Sequence, residues 1–358
     1  MSQLTTMTYE VTDRIARITL DRPERGNGIV PALPVELAAC VERADLDPDV
    51  HVIVLSGNGK GFCGGYDLVD SAEGLGVTDA TGPAATDHGD AGPEPSPDRP
   101  TRAAAATDDD TDGPDATIDL APPDDPRAWP GPPPHRPPPA GAPTHPWTTA
   151  LNHDPDGTWD PMVDYAMMSR NVRGFMSLFH ANKPVVCKVH GFCVAGGTDM
   201  ALCSDLLVIA ADAKIGYPPA RVWGSPTTAL WTQRLGAQRA KRLLFTGDSL
   251  SGAEALEWGL AVEAPDAADL DARTEILLER IARVPVNQLM LHKLLVNQEL
   301  TNQGMHSTQV LGTVLDGITR HTPEGHAFQR RAAEAGFRRA VRERDEPFGD
   351  AGSSTFKG

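Results

Sequence analysis

Between Ala72 and Asp160 the composition changes so sharply that the chain on either side has to fold without it. This segment holds 17 acidic and 4 basic residues and 19 of the 32 prolines. Runs such as DDDTDGPD and PGPPPHRPPPAGAP offer no apolar period to bury, and proline joins neither a helix interior nor a sheet ladder. The segment reads as a long disordered insertion at 72–160. It divides one α/β core into 1–71 and 161–265, with a helical region at 266–358. Closing a loop of about 90 residues rather than about 20 costs on the order of 1 to 1.5 kcal/mol, so the host fold survives it. A partner-binding tether in polyproline II form is the alternative to a plain solvated loop.

The insertion carries −13 of the formal net charge of −17. A chain this acidic lacks the clustered Lys and Arg that phosphate backbones require, so nucleic acid is not an expected partner. No run of about 18 apolar residues exists, so no membrane span is expected. The N-terminal MSQLTTMTYEV has neither the basic region nor the apolar core of a signal peptide. The five cysteines, Cys40, Cys63, Cys187, Cys193 and Cys203, are odd in number, lie mostly in apolar stretches and form no C-x-x-C. Buried free thiols in a cytoplasmic protein, with no metal site, are the expectation.

The two flanks read as strands alternating with helices. Tyr9 and Val11, then Ala16, Ile18 and Leu20, alternate around a turn at Thr12-Asp13-Arg14. Leu33, Leu37, Val41 and Ala44 fall at helical spacing, and Val50 to Leu55 is a short β-branched run of the kind that forms a buried strand. After the insertion, Met168, Val172, Phe175 and Phe179 mark a helix face, Lys183-Pro184 ends it, and VVCKV begins another buried strand. Ser251-x-x-Glu254 forms a capping box, Gly259 sits where that helix stops, and most of the chain from Asp271 onward reads as helix. The result is an α/β core with a helical tail.

Gly59 to Gly64 spells G-x-G-x-x-G directly after the 50–55 strand. A dinucleotide loop needs a βαβ unit and an acidic residue about 20 positions on. Here the chain runs into the insertion instead, so the motif lacks its context. A second cluster, KPVVCKVHGFCVAGGTDMALCSD, repeats the order strand, glycine turn, helix, with Gly196-Gly197 at the turn and Asp199 in the first helical turn. Two such turns each present a backbone N–H, and a helix N-terminus adds partial positive charge. Converging on one oxygen, they form an oxyanion hole, which suits negative charge developing on a thioester carbonyl.

These features together resemble the crotonase, or enoyl-CoA hydratase/isomerase, superfamily. DRPERGN (21–27), GKGFCGGYDL (59–68), KPVVCKVHGFCVAGGTDMALCSDLLVIAADAKIG (183–216), TQRLG (232–236), RLLFTGDSLSGAEALEWGLA (242–261) and PEGHAF (323–328) occur in the family's order. The resemblance implies a crotonase-like (ClpP/crotonase) right-handed spiral of ββα turns with a C-terminal helical trimerisation region. The partner expected is an acyl-CoA substrate, with the chain assembled as a homotrimer or a dimer of trimers. Coenzyme A enters only as part of the substrate, and no separate cofactor is implied.

By the same resemblance, the N–H groups of Tyr66 and Gly196 hold the thioester oxygen. Gly64, Tyr66, Asp67, Leu68, Gly196 and Tyr217 line the CoA ester, and the segment around Phe328 approaches the CoA of a neighbouring subunit. Asp199 takes the place of the first of the two glutamates that family hydratases use. The second has no counterpart: the matching run is Gly216-Tyr217-Pro218-Pro219-Ala220-Arg221, with Pro219 at the glutamate's place. Three functions follow from this. The first is hydration or isomerisation of an enoyl-CoA in fatty-acid or related acyl-CoA catabolism, with Asp199 as acid and base. The second is C–C bond hydrolysis or decarboxylation of a CoA thioester. The third is CoA-ester binding without turnover.

Overall fold

The computed structural model describes residues 4–67 and 159–349. The expected insertion as far as residue 158, its boundary at 71 and Leu68 lie outside these residues. The insertion's last two positions are described: Trp159 stacks on His321 with ring centroids 4.6 Å apart, and Asp160 caps the following helix.

Strands β1 (Met7–Thr12) and β2 (Ile15–Leu20) form the hairpin that the alternation predicts. The turn places Asp13 and Arg14 at positive φ, 51° and 67°, which matches the twist of a tight hairpin. Helix α1 (Leu33–Leu46) buries Leu33, Leu37, Val41 and Ala44, and β3 (Val52–Gly57) is buried along all but its last residue. Helix α2 (Pro161–His180) begins at Asp160, whose carboxylate accepts the N–H of Met162, and it packs on α1. Its buried face contains Met168, Val172, Phe175 and Phe179.

Two successive turns of chain then repeat one pattern. Strands β4 (Val185–Val189) and β5 (Phe192–Val194) lead into the short helix α3 (Gly196–Ala201). Strands β6 (Leu206–Ile209) and β7 (Lys214–Gly216) lead into a 3-10 turn at Pro218–Arg221. Each long strand enters one sheet, ordered β1-β2-β3-β4-β6 and parallel from β2 onward. Each short strand enters a second sheet, where β7 pairs parallel with β5 and antiparallel with β8 (Ser249–Ser251). The backbone thus winds as a spiral of ββα turns, and aliphatic and thiol side chains from both sheets fill its interior.

The remaining helices cover and extend the spiral. They are α4 (Trp231–Thr246), α5 (Gly252–Glu257), α6 (Leu270–Ala282), α7 (Val286–Asn302), α8 (Met305–Arg320), α9 (Pro323–Ala335) and α10 (Phe337–Asp345). The capping box opens α5 as expected: Glu254 N–H donates to Ser251 Oγ at 3.2 Å, and Ser251 N–H to Glu254 Oε2 at 2.6 Å. Helix α8 packs against α2 and so lies over the part of the spiral that carries α3. No helix among the described residues is long and apolar enough to cross a membrane.

Candidate active site

The strand register places the two glycine turns at equivalent points of adjacent layers. Cys63 and Cys193 are parallel bridge partners, and Tyr66 and Gly196 each lie three residues farther on. Parallel neighbours are about 4.8 Å apart, a spacing from which two N–H groups can reach one oxygen. Gly65 sits at φ 95°, and a Cβ added there would stand 2.8 Å from Ala195 Cβ. A Cβ added at Gly196 would stand 2.7 Å from the Tyr66 ring. The absence of side chains at these two positions is what lets the turns touch. Ala195 carries φ 53° and ψ −129°, a strained conformation for alanine of order 1 to 3 kcal/mol, immediately before the α3 N-terminus.

Most backbone donors around these turns are occupied within the chain. Gly64 N–H donates to Gly26 O at 2.9 Å, Asp67 N–H to Ile29 O at 3.0 Å, and Ala195 N–H to Gly216 O at 3.1 Å. The N–H groups of Gly65, Tyr66, Gly196 and Gly197 have no acceptor among the described residues, and the pair expected from the resemblance, Tyr66 and Gly196, is among them. Use of the Gly64 donor to join two loops of one chain gives the last glycine of the G-x-G-x-x-G run a structural task.

Asp199 lies one turn into α3 and is 1% exposed. Its Oδ1 accepts from Thr228 N–H at 3.0 Å and from Thr228 Oγ at 2.8 Å, whereas Oδ2 has no partner among the described residues. Burial pushes the carboxyl up to about 7; the Thr228 hydrogen bonds pull against this and the nearby Asp316 charge adds to it. A carboxyl in that range takes and returns protons near neutral pH. Tyr217 is buried close by, and both Tyr66 and Tyr217 are raised by burial first and by the Asp199 charge second.

The structure therefore brings Tyr66, Gly196, Asp199 and Tyr217 together. Asp67 is beside them in sequence, but its carboxylate is held by Arg22 at 3.0 Å and Arg25 at 2.8 Å. Phe328, expected at the CoA of a neighbouring subunit, lies in a small second apolar cluster, edge-on to Trp223 at 5.4 Å. Pro219 occupies the 3-10 turn at Pro218–Arg221, which contains no acidic residue.

Four further residues at the site escape a reading of the sequence. Thr228 holds Asp199. On α8, Asp316 accepts from Ser225 N–H at 3.1 Å and pairs with Arg320, which also pairs with Asp164 of α2 at 2.8 Å. The i, i+4 spacing of Asp316 and Arg320 is the one signal available, and it reads equally well as an exposed helix pair.

Comparison with known proteins agrees with this architecture. The sequence profile of the family described as Enoyl-CoA hydratase/isomerase matches residues 10–87 and 161–327. A solved enoyl-CoA hydratase from Mycobacterium smegmatis is 53% identical, with a TM-score of 0.77 over 100% of this chain and 99% of that one. The 1,2-epoxyphenylacetyl-CoA isomerase of Escherichia coli is 24% identical over 291 residues, 80% of each protein. The (E)-benzylidenesuccinyl-CoA hydratase of Thauera aromatica is 23% identical over 77% of this chain and 76% of that protein. With that profile spanning both flanks of the insertion and the ββα spiral beneath it, the chain belongs to the enoyl-CoA hydratase/isomerase family of the crotonase superfamily.

Proposed function

We propose that the chain is an acyl-CoA enzyme that stabilises a thioester enolate between the Tyr66 and Gly196 N–H groups while Asp199 moves the proton. The observation that carries this reading is Asp199 itself, a fully buried carboxyl raised to about 7; neither its Oδ2 nor the first N–H of its helix has a partner among the described residues. Ionised Asp199 removes a proton from carbon next to the thioester or conjugated with it. The electron pair moves onto the carbonyl oxygen, where two N–H donors and the α3 N-terminus oppose the new charge. Return of the proton to a different carbon completes an isomerisation. With Pro219 where a second carboxylate is expected, this single-carboxylate route needs no other acid, which favours isomerisation over addition of water. Hydration is the second reading, with Asp199 activating the water.

Coenzyme A serves as part of the substrate. Exposed apolar side chains on α7 and α8, among them Leu294, Leu295 and Leu311, support assembly with further copies of the chain as a trimer or a dimer of trimers. Five free, buried cysteines support a reducing, cytoplasmic setting.

The test is turnover of 2-enoyl and 3-enoyl thioesters, crotonyl-CoA first, by wild type and Asp199→Asn, with products identified by mass. Turnover should fall by about 10² to 10⁴ in the variant while thioester binding persists. Unchanged turnover would remove Asp199 from the mechanism. Binding with no turnover by wild type of any enoyl ester would leave decarboxylation, C–C cleavage or simple binding.

A further inference from the structure

The stretch Ser225 to Thr228 joins two buried aspartates. Thr228 N–H at one end donates to Asp199, and Ser225 N–H at the other donates to Asp316. The donors are three positions apart in the chain, so their nitrogens are at most about 11 Å apart. A Cβ added at Gly224, just before this stretch, would stand 3.4 Å from the Tyr217 hydroxyl and 3.8 Å from Asp316 Oδ1. Asp316 and the tyrosine beside Asp199 thus meet at one point of the loop.

Asp316 belongs to a charged group that is costly to bury. Asp164, Asp316 and Arg320 are 1%, 4% and 5% exposed, and both carboxylates bind the one guanidinium. Two carboxylates against one guanidinium leave a net negative charge when both are ionised; burial raises Asp316 while Arg320 holds it down, and the His321 ring stands 3.5 Å from Asp164 on its other side. A single aspartate on Arg320 would be neutral and cheaper to bury.

We propose that Asp316 is a positioning residue for Asp199: through Ser225 it anchors the loop that carries Thr228, and its uncompensated charge acts on the Asp199 carboxylate across the site. This rests on the reading of Asp199 given above. The groups that share its surroundings are Tyr66, Tyr217, Cys193 and Cys203, with Asp316 and Arg320 of α8 facing it from the covering helix. The two tyrosines and two thiols are all shifted upward by burial and are neutral near pH 7. The charged groups are therefore Asp316 and Arg320 of α8 with their partner Asp164, and Arg234 of α4, which donates to Leu202 O at 2.7 Å just beyond α3; of these, Asp316 raises Asp199.

The experiment follows the protonated-carboxyl infrared band that Asp199→Asn removes, titrated in the whole protein. Asp316→Asn keeps an oxygen for Ser225 but removes the charge, and should move the Asp199 midpoint down by on the order of one pH unit. Arg320→Gln should move it up. Opposite signs from two variants of one ion pair cannot come from loosened packing alone. Midpoints that stay at the wild-type value in folded Asp316→Asn and Arg320→Gln would overturn the proposal. If Asp316→Asn does not fold, Asp164→Asn makes the same charge change on the far side of the guanidinium and should shift the midpoint down. Loss of folding in all three variants would assign the cluster a folding role and also overturn it. The band reports Asp199 whether or not the protein turns over an enoyl-CoA, so failure of the functional reading would show separately, as turnover unaffected by Asp199→Asn.

Discussion

Asp199 receives both donors of Thr228 on a single carboxylate oxygen, the N–H at 3.0 Å and the hydroxyl at 2.8 Å, and its other oxygen has no partner among the described residues. The threonine fixes the rotamer and tempers the rise that burial imposes. Thr228→Val keeps the N–H and the shape but deletes the hydroxyl. A hydrogen bond to a charged group is worth about 1.5 to 3 kcal/mol, so the carboxyl should become harder to ionise. The acid limb of the kcat profile should move up by about one pH unit or more, and Thr228→Ser should restore it. A profile identical in the valine variant would show that the hydroxyl contributes nothing to Asp199.

The pH dependence of stability carries a sign that distinguishes Asp199 from ordinary acids. Its folded value, about 7, lies above the 3.8 of an unburied aspartate. Between those two points the unfolded chain has lost a proton that the folded chain keeps. Stability therefore falls as pH rises through this window, with a limit of about 4 kcal/mol for this residue. Asp199→Asn removes that slope. Urea unfolding at pH 4.5 and pH 7.5 should show the asparagine variant gaining on wild type as pH rises. Parallel curves for the two proteins would mean that Asp199 is ionised throughout. In activity the direction is reversed: the base form appears above about pH 7, so kcat should rise through neutrality.

Much of the frame was legible because local rules and tertiary burial agree. Ile18 and Leu20 alternate, Leu33 to Ala44 recur at helical spacing, and Ser251 with Glu254 forms both halves of a capping box, so each segment names its own structure. The site divides differently. Glycine turns followed by Asp199 are contiguous in sequence and could be read. Asp164, Thr228, Asp316 and Arg320 come from three separate segments, and each is an ordinary polar residue on its own element. Only the packing of α8 against α2 turns a surface-like Asp–Arg pair into a buried cluster. Phe328 packs with Trp223 and Phe337, because α9 and α10 build a small core of their own.

Lys293 ties α7 to the spiral. Its ammonium donates to Leu178 O at 2.9 Å and Lys183 O at 3.0 Å and pairs with Asp205 at 2.8 Å. Asp205→Ala leaves that cation buried without a counter-charge and should cost about 3 to 5 kcal/mol. Lys293→Met should cost less, since Asp205 keeps the Val185 N–H at 2.7 Å and part of its surface stays in water. Equal losses in urea unfolding would show that the helix is held by its apolar contacts and that the ion pair is incidental.

The outer face of α7 leaves Leu291, Leu294, Leu295 and Val296 more than half exposed, and α8 adds Leu311. Burying a leucine side chain is worth about 1.5 to 3 kcal/mol, so this face carries enough apolar area to hold copies of the chain together if they meet there. Leu295→Glu, the most exposed of the five, puts a charge in the middle of it. Light scattering at micromolar concentration should give a trimer or hexamer for wild type and smaller species for the variant. Circular dichroism should show the helices intact in both, because Leu295 makes little contact within its own chain. A wild-type monomer would assign the face to a different partner. An assembly that tolerates Leu295→Glu would place the contact on another surface, and α7 would then be a helix with an unusually apolar outside.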